Sequence, residues 1–81
     1  LPSIKIQAKD LDAQVDIINL VMLSKLEKSK SEIRRLIKGN AIKINDKIIT
    51  DEKLIIKSEL FNDNYLKLSI GKKRHIKIEI N

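Results

Sequence analysis

The sequence predicts one small α+β domain, with two short helices ahead of a small bent antiparallel sheet. Three observations carry that expectation. The chain has 81 residues, which suits one domain with a modest core, since a chain this size buries only about 60% of the surface it exposes unfolded. Its apolar residues recur every three or four positions between Ile17 and Ile37 and, beyond Ala41, every second position in the segments that read as strands. Its 42% hydrophobic content, against 35% charged, belongs to a folded domain rather than a disordered tail.

Ser3 to Ala8 alternates Ile4 and Ile6 with polar neighbours and reads as a short strand or extended arm. Asp10 to Asp16 carries turn and cap residues. Asp16 is placed as the N-cap of a first helix over Ile17 to about Lys25, with Ile17, Leu20, Val21 and Ser24 on one face. Ile18 and Met22 widen its apolar stripe, so this helix is mostly buried, with Leu26 below it. Ser29-Lys30-Ser31-Glu32 has the spacing of a capping box, in which the Ser29 hydroxyl accepts from a first-turn amide and Glu32 reaches back to the Ser29 amide. Ile33, Leu36 and Ile37 then form the inner face of a second helix, and Gly39 is placed to end it in a left-handed conformation.

From Ala41 the period is two. Ile42 and Ile44 alternate with Lys43 and Asn45, Asn45-Asp46 makes a tight turn, and Ile48-Ile49-Thr50 continues as a strand. Residues 51–64 are turn-rich around a short apolar run, Leu54 to Ile56. Tyr65 to Ile70 is a strand, Gly71-Lys72-Lys73-Arg74 a loop, and Ile76, Ile78 and Ile80 mark the last strand, which pairs back as a hairpin.

Much chemistry is excluded. The chain has no Cys, so neither disulfides nor thiolate zinc sites support it, and one His builds no histidine metal cluster. Gly39 and Gly71 are the only glycines, so there is no glycine-rich phosphate loop. His75 beside Lys73 and Arg74 has neither an orienting partner nor a pocket in the sequence to make it a general base. No run approaches the roughly 18 apolar residues of a membrane span, and the start, Leu1-Pro2-Ser3, has neither a signal-peptide pattern nor an initiator Met. The expectation is a non-enzymatic piece of a longer chain.

Charge points to polyanions. Seventeen Lys+Arg against eleven Asp+Glu leave +6, and the excess is unevenly spread. Residues 25–47 hold eight basic and three acidic residues and residues 67–81 hold five and one, whereas the remaining segments are slightly acidic. Two basic blocks suggest patches facing an anion. Ser29, Lys30 and Ser31 with Arg34, Arg35 and Lys38 gather hydroxyls, helix-start amides and cations, the groups that hold phosphate. Phe61 and Tyr65 are the only aromatics, so base stacking on aromatic platforms is not expected, and the inferred target is structured nucleic acid read by backbone and shape.

Ser29-Lys30-Ser31-Glu32-Ile33-Arg34-Arg35-Leu36-Ile37, followed by Ile42-Lys43-Ile44-Asn45, resembles the S-four-type RNA-binding domain, in which two helices precede a small bent sheet. Together with Gly71-Lys72-Lys73-Arg74-His75-Ile76-Lys77-Ile78, it is most similar to the C-terminal domain of bacterial-type tyrosyl-tRNA synthetases. The chain departs from the pattern at Lys25, where glycine is usual, at Asn40-Ala41, where two glycines are usual, at Asp46 in place of the hairpin glycine, and at Lys43, where an aromatic is frequent.

The resemblance implies a module that grips the body and long variable arm of tRNA(Tyr) while a separate domain carries out ATP-dependent tyrosylation. It implies no cofactor in this domain, a monomeric piece of a homodimeric parent, no membrane, and a place in the cytoplasm or a bacterial-derived organelle. The RNA-binding residues expected are Ser29, Lys30, Ser31, Arg34, Arg35, Lys38, Lys43, Asn45, Lys72, Lys73 and Arg74. A free-standing or ribosome-associated binder of structured RNA, or a basic protein-interaction module, are the alternatives.

Overall fold

The computed structural model describes residues 2–80 and has the order β1 (Ser3–Ile6), α1 (Ala8–Asp12), α2 (Ile17–Ser24), α3 (Lys30–Lys38), β2 (Ile42–Ile44), β3 (Lys47–Ile48), a 3₁₀ turn (Ser58–Leu60), β4 (Tyr65–Ile70) and β5 (Arg74–Ile80). The α+β class is as the sequence predicts. The five strands form one sheet in the order β1-β5-β4-β2-β3. All neighbours run antiparallel except β1 and β5, which pair in parallel from Ser3 opposite Lys77 to Ile6 opposite Ile80.

Three expectations need correction here. The sheet is mixed rather than purely antiparallel, because the segment expected as a short strand or extended arm is a strand, β1, that pairs in parallel with the last strand, β5, at the sheet edge. Among the described residues there are three α-helices, not two: α1 runs into the segment read as turns, and its first turn is closed where the Gln7 N–H donates to an Asp10 carboxylate oxygen at 3.0 Å. A five-residue helix offering only Leu11 to the core is too short to show a period. The strand expected over Ile48-Ile49-Thr50 stops at Ile48, although the Ile49 N–H still donates to the Ile42 carbonyl at 2.8 Å.

The core lies between the helices and one face of the sheet. Ile17, Leu20, Val21, Ile33, Ile37, Ile42, Leu66, Leu68, Ile70 and Ile78 are buried in one cluster. Isoleucine dominates it, which suits half-buried strands and fills volume that aromatics would otherwise supply. Asp16 caps α2 as expected, its carboxylate accepting from the Asn19 N–H at 2.8 Å. The long segment after β3 is tied to the start of α2 by Ile17 N–H to Leu54 carbonyl at 2.9 Å and Ile56 N–H to Val15 carbonyl at 2.8 Å. No helix among the described residues is long and apolar enough to cross a membrane.

Candidate nucleic-acid interface

The exposed side of α3 is set by its buried side. Ile33 is 0% and Ile37 2% exposed, so the rotation of the helix about its axis is fixed by packing. Lys30, Arg34, Arg35 and Lys38 are consequently exposed. The helix starts as a capping residue dictates, with the Glu32 N–H donating to Ser29 Oγ at 3.4 Å, while Ser29 Oγ and Ser31 Oγ lie 2.9 Å apart. Only half of the expected capping box forms. The Glu32 carboxylate turns instead to Arg35, one turn on, with Oε2 3.2 Å from Nη1.

The helix ends differently from the expectation as well. Gly39 has φ −86°, and the left-handed residue is Asn40, at φ 59°. Asn40 N–H donates to Ile37 carbonyl at 3.1 Å and Ala41 N–H to Leu36 carbonyl at 2.9 Å, the pair of bonds that closes a helix around a left-handed residue. Asparagine tolerates that conformation, so the chain turns without glycine there.

This turn carries α3 to the tip of the β4–β5 hairpin. Ile42 lies opposite Ile70, and one step further the Gly71 N–H donates to the Ala41 carbonyl at 2.8 Å. The tip is shorter than the sequence suggests, since Arg74 is already in β5 opposite Ile70. Gly71 has φ 66°, a conformation that strains most L residues but costs glycine little. Lys72 and Lys73 are exposed at the tip.

Strand alternation then sends Arg74 and His75 to opposite faces. Arg74 shares its face with Ile76 and reaches the segment between α2 and α3, where Nη1 donates to the Leu26 carbonyl at 3.0 Å and lies 3.8 Å from Glu27 Oε2. His75 faces the other way. Its Nε2 is 3.0 Å from the Lys72 carbonyl and its Nδ1 is 2.9 Å from Ser69 Oγ. A carbonyl only accepts, so Nε2 carries the proton, and in the neutral ring Nδ1 accepts from the Ser69 hydroxyl. His75 therefore braces the tip rather than standing free on the surface.

The structure thus joins the end of α3, which carries Arg34, Arg35 and Lys38 and begins at Ser29, Lys30 and Ser31, to the tip bearing Lys72 and Lys73 through the Ala41–Gly71 bond, and joins Arg74 to the segment ahead of α3. Lys43 does not share the face of the helices but stands opposite Ser69, and Asn45 is committed within the fold. Lys43 lies between the buried Ile42 and Ile44, so it faces away from the helices. The Asn45 side chain is used inside the fold, donating from Nδ2 to the Leu60 carbonyl at 2.8 Å and accepting at Oδ1 from the Lys67 N–H at 3.0 Å. The brace at His75 was missing from the sequence reading, although a hairpin pairing Ser69 with His75 would have placed the two on one face.

The description "Tyrosine--tRNA ligase SYY-like C-terminal domain" matches residues 1–78. This chain belongs to that family. The domain is similar over nearly its whole length to curated proteins named tyrosine–tRNA ligase. The protein from Pelagibacter ubique is 59% identical over 80 residues, covering 99% of this chain and 20% of the relative. The one from Bartonella quintana is 44% identical over 80 residues, covering 98% and 19%, and that from Agrobacterium fabrum 42% identical over 77 residues, covering 94% and 18%. The domain therefore spans about a fifth of the length of these relatives.

Proposed function

We propose that this chain is the tRNA-holding domain of a tyrosine–tRNA ligase, gripping tRNA(Tyr) while a separate part of the enzyme joins tyrosine to it with ATP. The observation that carries the reading is the junction of α3 with the hairpin tip through Ala41 and Gly71, which adjoins two basic blocks far apart in sequence. Guanidinium forks at Arg34 and Arg35 suit phosphate oxygens bidentately. They stand on a packed helix, so little ordering is needed on binding.

The target is structured RNA held by its backbone. Phe61 packs against the core, and Lys77 Nζ stands over one face of the exposed Tyr65 ring, 4.3 Å from its centroid, so the two aromatics form no stacking platform of the kind that reads successive bases. The domain itself would use no cofactor. The ligase would be a homodimer assembled through its catalytic part, working in the cytoplasm or a bacterial-derived organelle.

Titration with tRNA(Tyr) at several salt concentrations tests the reading. Affinity should fall steeply, with a slope near −0.9 on logarithmic axes for each phosphate neutralised, by analogy with duplex DNA. Binding that does not respond to salt would remove the electrostatic basis of the proposal.

A further inference from the structure

The segment joining α2 to α3 contains a feature that helix and sheet do not require. Lys25, the residue that ends α2, has φ 62° and ψ 12°. A side chain in this left-handed conformation costs more than glycine would, and strain held by a non-glycine residue directs attention to what its side chain does. Lys25 is exposed, so core packing does not account for it. Lys28 is exposed too, and among the described residues neither lysine forms an ion pair.

The acid between them is already engaged. Glu27 folds back so that Oε1 accepts from the Lys28 N–H at 2.9 Å, while Oε2 faces Arg74 Nη1 at 3.8 Å. Its charge offsets Arg74 and leaves Lys25 and Lys28 uncompensated. The bond from Arg74 to the Leu26 carbonyl spans 48 positions of sequence. It holds the segment that bears Lys25 and Lys28 against the hairpin tip that bears Lys72 and Lys73.

We infer that Lys25 and Lys28 extend the RNA-binding surface, forming with Lys72 and Lys73 one patch for the phosphate backbone, and that Arg74 is the positioning residue joining its two halves. The inference rests on the tRNA-binding reading above. Ammonium groups on flexible stems suit point-charge contact with successive phosphates rather than recognition of one planar group. Arg74 acts through the lysines: its charge is matched by Glu27 and one guanidinium N–H is committed to the backbone.

Four variants of the chain test this with tRNA(Tyr) as probe. Lys25→Gly relieves the left-handed strain, so its urea midpoint rises while its tRNA affinity falls, two changes of opposite sign that a purely structural lysine would not produce. The double variant Lys25→Gly/Lys28→Ala lowers the salt slope by about 2, one for each lysine. Arg74→Ala weakens binding and, in its background, most of the loss caused by the double variant disappears, because the two halves are already apart. In the RNA-free chain, Arg74→Ala also speeds hydrogen exchange at the amides of residues 26–28.

If the lysine variant binds as tightly as the unaltered chain while Arg34→Ala/Arg35→Ala loses binding, the patch is overturned and the tRNA-binding reading stands. Strictly additive losses for Arg74→Ala and the lysine variant make Arg74 a direct ligand and overturn its positioning role. Unchanged exchange at residues 26–28 overturns that role too. An unaltered chain that does not bind tRNA(Tyr) overturns both readings.

Discussion

The arginines of α3 stand on a helix whose rotation is fixed by Ile33 and Ile37, whereas the lysines of the hairpin tip stand on a three-residue turn held by one backbone bond, Gly71 to Ala41, and by two side chains, Arg74 and His75. On the helix, backbone hydrogen bonds and apolar burial place the cations, and the cations themselves contribute little to stability. At the tip, a charged residue and a histidine supply the placement, so residues that look like ligands are part of the scaffold. The same formal charge removed from the two regions should therefore have different consequences.

The largest effect should come from undoing the support of α3. Ile33→Ala leaves a cavity beneath a fully buried side chain, and such truncations cost about 2–5 kcal/mol. In a domain this small that is a large share of the total stability. Urea denaturation followed by circular dichroism measures it, and a loss below about 1 kcal/mol would mean that Ile33 does not fix the helix.

Removing the helix cations should cost no more stability than the exposed Glu32–Arg35 pair supplies, about 0–1 kcal/mol, and take binding instead. Arg34→Ala/Arg35→Ala is expected to weaken tRNA(Tyr) binding about tenfold or more, against about threefold for Lys72→Ala/Lys73→Ala, since fixed forks give up less freedom for each phosphate contact than lysines at a turn. Both pairs remove the same charge, so equal losses at one salt concentration would show that only net charge counts.

The tip offers the converse case. His75→Ala leaves the Ser69 hydroxyl, which is 2% exposed, without its partner, at an expected cost of about 1–2 kcal/mol. Hydrogen exchange should rise at Gly71 and Lys72 in this variant and stay unchanged along α3. Protection lost evenly through the domain would contradict a local brace.

The smallest changes concern the start of α3. Ser29→Ala should cost about 0.5–1 kcal/mol through the lost cap. Glu32→Ala should cost less, because the Glu32 carboxylate serves a surface pair with Arg35 and not the Ser29 amide, and such pairs are worth about 0–1 kcal/mol. If the two substitutions prove equally costly in denaturation, the reciprocal capping box forms in solution.

Much of this domain could be read along the chain because its causes are local. The Asp16 and Ser29 caps act within three residues, and the apolar faces of α2 and α3 repeat every three or four. The turn at Asn45-Asp46, with φ 52° and 69°, is drawn from residues that tolerate left-handed backbone. The exposed cations of α3 follow from the same periodicity, since the face opposite Ile33 and Ile37 has to be solvated. Even the misplaced helix end was a local matter, a choice between Gly39 and the neighbouring Asn40.

Tertiary structure decided what has no period in the sequence. That β1 lies parallel to β5 depends on two strands from opposite ends of the chain meeting at a sheet edge, and four alternating residues do not encode their neighbour. Asn45 looked like a ligand until Leu60 and Lys67 arrived to occupy its amide. Arg74 looked like another loop cation, but the alternation of β5 aims it at the core side, where the Leu26 carbonyl is within reach. Long polar side chains take whatever partner the fold brings to them, so their roles are settled only once segments 15 to 48 positions apart are in contact.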